Sequence, residues 1–278
     1  MTASIPAPEQ IRAAWDTLAT DFDDLVSPRT ITSGETLVAD LGVRQGTRFL
    51  DVAAGTGALA IPAARRGASV VAVDIAPTMI ERLRARATAD ALSNLDAQVM
   101  SGEELDLPDD SVDVAASLNG VSLLPDFDRG LAELVRVTAP GGRVVIASFG
   151  PLPQTEFVSF FMSAMRTAIP DLTPLPTNPP PLPFQVADPE TMRTKLLHGG
   201  LTDVSVLTPT WEWHFPSADA YWSAVATSNP IVARLVVDLT ASQRDDVVRV
   251  LDGMFRERSG GDPGAGLRNV MTIGIGTK

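Results

Sequence analysis

The segment Asp51-Val52-Ala53-Ala54-Gly55-Thr56-Gly57 is the part of this chain best able to hold a ligand. Glycines let the backbone approach a bound molecule closely, and the helix expected after them brings unpaired N–H groups to the same place. Asp51 stands at the mouth of the turn, where it suits a ligand carrying an ammonium group. The same letters satisfy Gly55-x-Gly57-x-x-Ala60, a loose dinucleotide fingerprint, but a pyrophosphate wants donors with no anion beside them. Asp74 closes the next expected strand, well placed to accept two hydrogen bonds from ribose hydroxyls. The two acids together describe a ligand with an amine at one end and a ribose at the other. Other chemistry is scarce, because the chain holds two histidines and no cysteine. Disulfides, thiolate metal sites, cysteine nucleophiles and multi-histidine metal centres are excluded together.

His198 sits in the last turn of KLLHGG, where a cation favours the helix dipole, and reads as structural. His214 alternates with Trp211, Trp213 and Phe215, so it shares a strand face with Glu212. A parallel strand there would deliver His214 to the ligand-binding edge of the sheet, making it the candidate general base; plain packing is the competing reading. Trp211, Trp213, Tyr221 and Trp222 form an aromatic group that reads either as core or as the wall of a substrate pocket.

The elements that must position these residues alternate. Ile11 to Asp24 has helical spacing, and a second helical run from about Thr32 to Leu41 stops at Gly42. The strand RFLDV then leads into the glycines, followed by a helix at 58–66, a strand at 69–74 and a helix at 77–89, with Thr78 and Glu81 as a capping pair. Strands follow at 97–100 and 112–118, a helix at 127–137, and a strand at 142–149. Such alternation predicts an α/β fold with a parallel sheet covered on both faces. Beyond Gly150 the texture changes: ten of the 22 prolines lie between Pro151 and Pro189, which rules out a sheet core. That stretch reads as a lid, flanked by helices at 154–168 and 189–198. A strand at 203–207, continuing through WEWHF, a helical run from Ser217 to Arg258 and a last strand at 270–275 complete the chain. The whole reads as one domain over 1–278, with a helical cover at 1–42, a ligand-binding core at 43–150, and lid, substrate-side insertions and last strands at 151–278.

Composition narrows the functions. Charged residues make up 20% of the chain, with a formal net charge of −12. That field repels phosphate backbones and disfavours nucleic acid as a partner. There is no basic leader with an apolar core and no long uncharged apolar run, so neither secretion nor membrane insertion is expected. With no cysteine, a reducing cytoplasm is the expected location.

Four blocks, in order, resemble the class I S-adenosylmethionine-dependent methyltransferases, and in particular the ubiquinone/menaquinone-biosynthesis branch. They are DVAAGTG, VVAVDIAPTMIERLRARA, MSGEELDLPDDSVDV and LAELVRVTAPGGRVVIASF, and the resemblance covers roughly residues 10–150. It implies a doubly wound, mostly parallel seven-stranded Rossmann-like sheet with helical lid insertions. It also implies that S-adenosylmethionine is the cofactor, that no metal is used, and that a small, largely apolar molecule accepts the methyl on O, N or C. Residue by residue, it implies that the loop Asp51, Ala53, Gly55, Gly57 contacts the methionine part and that Asp74 holds the ribose. Ile75 lies against the adenine face, and Ser101, Gly102 and Glu103 border the adenine edge. Leu118 and Asn119 offer a carbonyl to the ammonium, and Phe22 closes over the methionine end. Ala53 stands where the first motif usually has glycine, and Ser101 where relatives often carry an aspartate, which implies a weaker grip on adenine. The alternatives are an NAD(P)-dependent oxidoreductase, a non-catalytic S-adenosylmethionine-binding protein and, disfavoured by charge, an RNA methyltransferase; a homodimer is left open.

Overall fold

Runs such as FLDV and VVAVD stay apolar on consecutive residues, which alternation cannot explain unless both strand faces are covered. The computed structural model, which describes residues 8–172, 180–228 and 230–278, shows this burial. Strands β1 (Arg48–Val52), β2 (Ser69–Asp74) and β4 (Val112–Leu118) are buried over nearly their whole length. With β3 (Leu95–Val99), β5 (Thr138–Phe149), β6 (Thr202–Leu207) and β8 (Ala265–Thr277) they form a sheet ordered β3-β2-β1-β4-β5-β8-β6. The first five strands run parallel, and β8 lies antiparallel between β5 and β6. The order reverses between β1 and β4. Ligands in such sheets bind beyond the carboxyl ends of the strands at that reversal.

Helices α2 (Ser27–Asp40), α3 (Ala60–Arg65) and α4 (Pro77–Ala89) cover one face, packing Leu37, Leu59, Ile61 and Leu83 against the sheet. Helices α5 (Phe127–Val137) and α7 (Pro189–His198) cover the other with Leu131, Leu134, Met192 and Leu196. Helices α6 (Glu156–Ala168), α8 (Ala218–Ala226) and α10 (Ala241–Ser259) gather a second core with the first half of β8 and with β7 (Thr210–Phe215). A short helix α9 (Pro230–Val236) joins α8 to α10. Tyr221 is fully buried in this second core, and its hydroxyl donates to the Phe157 carbonyl at 2.7 Å.

Several expectations change. Helix α2 begins at Ser27 rather than near Thr32, because Pro28 suits the first turn and only Val26 separates α2 from α1 (Pro8–Leu25). The Thr78–Glu81 capping pair does not form. The Thr78 N–H is instead taken by Asp16 Oδ1 at 2.9 Å, so α1 supplies the cap. WEWHF does not extend β6: it is the separate strand β7, which pairs antiparallel with residues 265–270 of β8. The last strand is accordingly longer than expected. The stretch read as a lid is described except for 173–179, so that part of the reading lies outside the described residues.

Gly34 of α2 packs on the glycine-rich loop so closely that a Cβ would lie 1.8 Å from the Ala58 carbonyl oxygen. Alanine favours a helix over glycine by about 1 kcal/mol, but overpacking against backbone costs roughly 1–3 kcal/mol and a contact this short belongs at the upper end. Gly34→Ala should therefore lower stability, read as an earlier urea midpoint with an unchanged slope; a later midpoint would show that α2 can shift off the loop.

Candidate active site

The loop after β1 is fixed by two buried carboxylates that do different work. Asp51 is 1% exposed, and its Oδ2 accepts the Ala60 N–H at 2.9 Å, so it caps the first turn of α3. An anion there offsets the unpaired N–H groups and the dipole of the helix start. Asp51 is not among the residues lining the cavity at the sheet's carboxyl edge, and this corrects the expectation that it faces an ammonium group. Burial pushes its pKa up to about 7; the charge of Asp74 adds to this, and the N–H groups of Ala60 and Leu59 oppose it.

Asp74 does line the cavity. Its Oδ2 accepts the Gly55 N–H at 2.8 Å and its Oδ1 the Ala76 N–H at 2.9 Å. One carboxylate thus ties the loop after β1 to the start of α4, and each oxygen keeps a further lone pair for a ligand. Burial raises its pKa, the N–H groups of Ala76, Gly55 and Ile75 oppose the rise, and the charge of Asp16 adds to it.

The loop between these acids is split. Ala53, Gly55 and Thr56 line the cavity, whereas Gly57 does not: a Cβ there would lie 2.4 Å from Leu83 Cδ1, so its glycine serves packing against α4. At Gly55, with φ +54°, nothing lies within 4 Å of a would-be Cβ, which leaves an open cradle. Ala53 is left-handed at φ +55°, a conformation that costs an L-residue about 1–2 kcal/mol. Gly120 faces its methyl, with a would-be Cβ 2.6 Å away. The Thr56 hydroxyl is hydrogen-bonded to that of Ser27, which joins the loop to α2.

The remaining candidates divide cleanly. Ile75, Ser101, Gly102, Glu103, Leu118, Asn119 and Phe22 all line the cavity. Ser101 Oγ accepts the Glu103 N–H at 3.2 Å, and Glu103 Oε1 accepts the Asp126 N–H at 3.0 Å. Asn119 sits left-handed at φ +51°, which asparagine tolerates well. Its N–H donates to the Ala147 carbonyl at 2.7 Å. His214 is different. It lies on the exposed face of β7, its carbonyl accepts from the Arg29 guanidinium at 3.0 and 3.2 Å, and it does not line the cavity. The alternation was sound, but antiparallel pairing with β8 turns Trp213 inward and His214 out. His214 therefore drops out as a base. Of the aromatic group, only Trp213 reaches the cavity; Tyr221 and Trp222 belong to the second core and Trp211 packs on the first.

Sequence reading missed Ile11 and Trp15 on α1, Val26 and Thr30 at the start of α2, and Phe149, Phe157, Ser122 and Ser228, all of which line the cavity. Ile11, Trp15 and Phe22 share one helical face, so the signal was present in the helical spacing, but only Phe22 was assigned to the site. Pro183 also lines the cavity, and neighbouring Gln185 Nε2 donates to the Ser122 carbonyl at 2.7 Å, which brings the far end of the proline-rich stretch onto the site.

The Asp51 pKa is raised on folding. Its contribution to stability is therefore present in full below the ordinary carboxylate range and is lost as pH rises through about 7. Asp51→Asn keeps an oxygen for the Ala60 N–H and cannot ionise. Between about pH 4 and pH 7 the Tm of Asp51→Asn should rise relative to that of the wild type, with the difference widening as pH rises. Parallel Tm–pH curves for the two proteins would overturn this.

Comparison with known proteins agrees with the geometry. A family model described as a methyltransferase domain matches residues 50–146. An uncharacterized protein of Mycobacterium tuberculosis is 40% identical over 116 residues, 42% of this chain and 42% of that one, so the match takes in less than half of that relative's length. A demethylmenaquinone methyltransferase of Thermobifida fusca is 34% identical over 171 residues, 59% of this chain and 71% of that one. Among solved structures, a phosphoethanolamine N-methyltransferase of Haemonchus contortus, in complex with phosphomonomethylethanolamine and S-adenosylhomocysteine, superposes with a TM-score of 0.61 at 16% identity. That superposition covers 99% of this chain and 61% of that one, and it shows likeness of fold alone. With the sheet order, the Asp74-anchored loop and a relative of this identity over 71% of its length, the chain belongs to the class I S-adenosylmethionine-dependent methyltransferases.

Proposed function

We propose that this chain transfers the methyl group of S-adenosylmethionine to O, N or C of a small, largely apolar acceptor. One observation carries the reading: a single cavity runs from Asp74, Gly55 and Ser101–Glu103 to an apolar wall of Phe22, Val26, Phe149, Phe157 and Trp213. The residues at the first end fit the cofactor, since Gly55 leaves an open cradle and the Asp74 carboxylate lines the cavity with acceptor oxygens. When bound, S-adenosylmethionine supplies a methyl on a sulfonium, a good leaving group.

In this reading Asp74 holds the ribose hydroxyls through charge-assisted hydrogen bonds. Ile75 lies against adenine, and Ser101, Gly102 and Glu103 border its edge, with Glu103 held in place by Asp126. Ala53, Gly55 and Thr56 lie along the methionine part, the carbonyls at Leu118 and Asn119 face the ammonium, and Phe22 and Trp15 on α1 close over that end. The apolar wall excludes water and orients the acceptor for in-line attack, and positioning of this kind can supply most of the acceleration. The net charge of −12 favours a small molecule over nucleic acid as acceptor. No described helix is long and apolar enough to cross a membrane, and the lack of cysteine suits a cytoplasmic location. The oxidoreductase reading is not favoured: it wants a tyrosine at the ligand, and the one tyrosine is buried on the Phe157 carbonyl.

Asp74→Ala should weaken S-adenosylhomocysteine binding about tenfold or more, from roughly 1.5–3 kcal/mol of lost charge-assisted bonding. Calorimetry checks this directly. Wild-type protein that binds NAD and not S-adenosylhomocysteine would overturn the assignment.

A further inference from the structure

Phe149 on β5, Phe157 on α6 and Trp213 on β7 line the cavity together. The Trp213 ring centroid is 6.0 Å from that of Phe149 and 5.0 Å from that of Phe157, with planes inclined by 66° and 71°. The Trp213 ring therefore meets both phenylalanines edge to face, and the three rings do not lie in one plane. The indole N–H of Trp213 is already given to Ser33 Oγ at 3.1 Å, so Trp213 meets a ligand with its ring alone.

The titratable residues lining the cavity are Asp74 and Glu103, both acidic and both at the end assigned to the cofactor. Among the described residues no lysine, arginine or histidine lines it. Residues 1–7, 173–179 and 229 carry no acidic or basic side chain. Arg29 lies nearby, but its guanidinium stacks 4.0 Å over the Phe215 ring and donates to the carbonyls of Leu25 and His214. Neither Arg29 nor Phe215 lines the cavity.

This inventory discriminates among acceptors. A phenol or alcohol must lose its proton before or during attack, which calls for a base or for a cation to hold the oxyanion. An anion left unpaired beside apolar walls is strongly disfavoured, and that also sets aside carboxylate and phosphate acceptors. A neutral amine needs neither. Its lone pair forms the new N–C bond as the S–C bond breaks, the pair of that bond stays on sulfur, and the positive charge passes from sulfur to nitrogen. The amine proton leaves to water afterwards. The net charge in the cavity is unchanged through the transfer, and the growing cation meets aromatic rings, which attract it.

We propose that the acceptor is an apolar amine taken up as the free base, with Phe149, Phe157 and Trp213 holding the ammonium that forms. This rests on the methyl-transfer reading above. The test is calorimetric titration of benzyltrimethylammonium, a fixed cation shaped like a methylated product, into protein saturated with S-adenosylhomocysteine. Binding is expected in the wild type. Trp213→Leu and Phe149→Leu should each weaken it about tenfold and change S-adenosylhomocysteine affinity by no more than a few-fold. Should Trp213→Leu fail to hold S-adenosylhomocysteine, the half-buried Phe149→Leu carries the comparison. No binding of the cation to the loaded protein would overturn the proposal, as would equal binding by the variants. Binding that S-adenosylhomocysteine abolishes would also overturn it, because the rings would then serve the sulfonium. If S-adenosylhomocysteine itself does not bind, the methyl-transfer reading falls first; if it binds and the ammonium does not, only the amine assignment falls.

Discussion

The site depends on one buried carboxylate. Asp74 joins the Gly55 N–H, in the loop after β1, to the Ala76 N–H at the entry to α4. These are two turns flanking one end of the crevice, and the Ala54 N–H, which donates to the Val73 carbonyl at 2.9 Å, ties the same two segments together beside it. Nearby Asp16 repeats the device, reaching from α1 to the Thr78 N–H in the first turn of α4. Asp51 does the same for α3. Three acids therefore satisfy helix starts that face one crevice, where unpaired N–H groups are most numerous and the dipoles most favour negative charge.

The aromatic end of the cavity is built differently. It has no comparable carboxylate and draws instead on the second core, in which Phe157, Phe215, Tyr221 and Phe255 pack around α6, α8 and α10. That core orients β7, and β7 carries Trp213. Arg29 closes the arrangement by bonding the Leu25 and His214 carbonyls while stacking on Phe215. The junction of α1 and α2 is thereby tied to β7 by a fork and a ring face that lysine could not reproduce. The cavity thus lies between a polar half set by strand ends and an apolar half set by an insertion.

The polar half was legible in the sequence because its signals are local. Asp51, Gly55 and Asp74 sit at fixed offsets from strands whose apolar runs are unmistakable, and α4 and α7 match their expected bounds because proline opens both. What the letters hid was direction. Asp51 is the penultimate residue of β1 and Asp74 the last of β2, and one carboxylate turns toward α3 while the other lines the crevice, a difference of strand position that spacing does not encode. Gly57 looked like a ligand glycine and is a packing glycine, because Leu83 of α4 occupies its Cβ position. On β7 the period of two separated His214 from Trp213 correctly, but which of the two faces inward followed from pairing with β8, which lies far along the chain beyond α8, α9 and α10. The α1 cap on Thr78 was likewise out of reach, since a local pair, Thr78 and Glu81, offered itself first.

The free protein keeps two buried acids side by side in influence: Asp51 and Asp74 each have raised pKa values, chiefly from burial, and the charge of Asp74 adds to the rise at Asp51. Raised values mean that ionising them works against the fold. A ligand bearing positive charge at this edge favours the ionised forms and so recovers part of what burial withholds. Asp74 is the one of the two that lines the cavity, so a positively charged ligand there acts on it directly, while Asp51 stays behind the loop as the cap of α3.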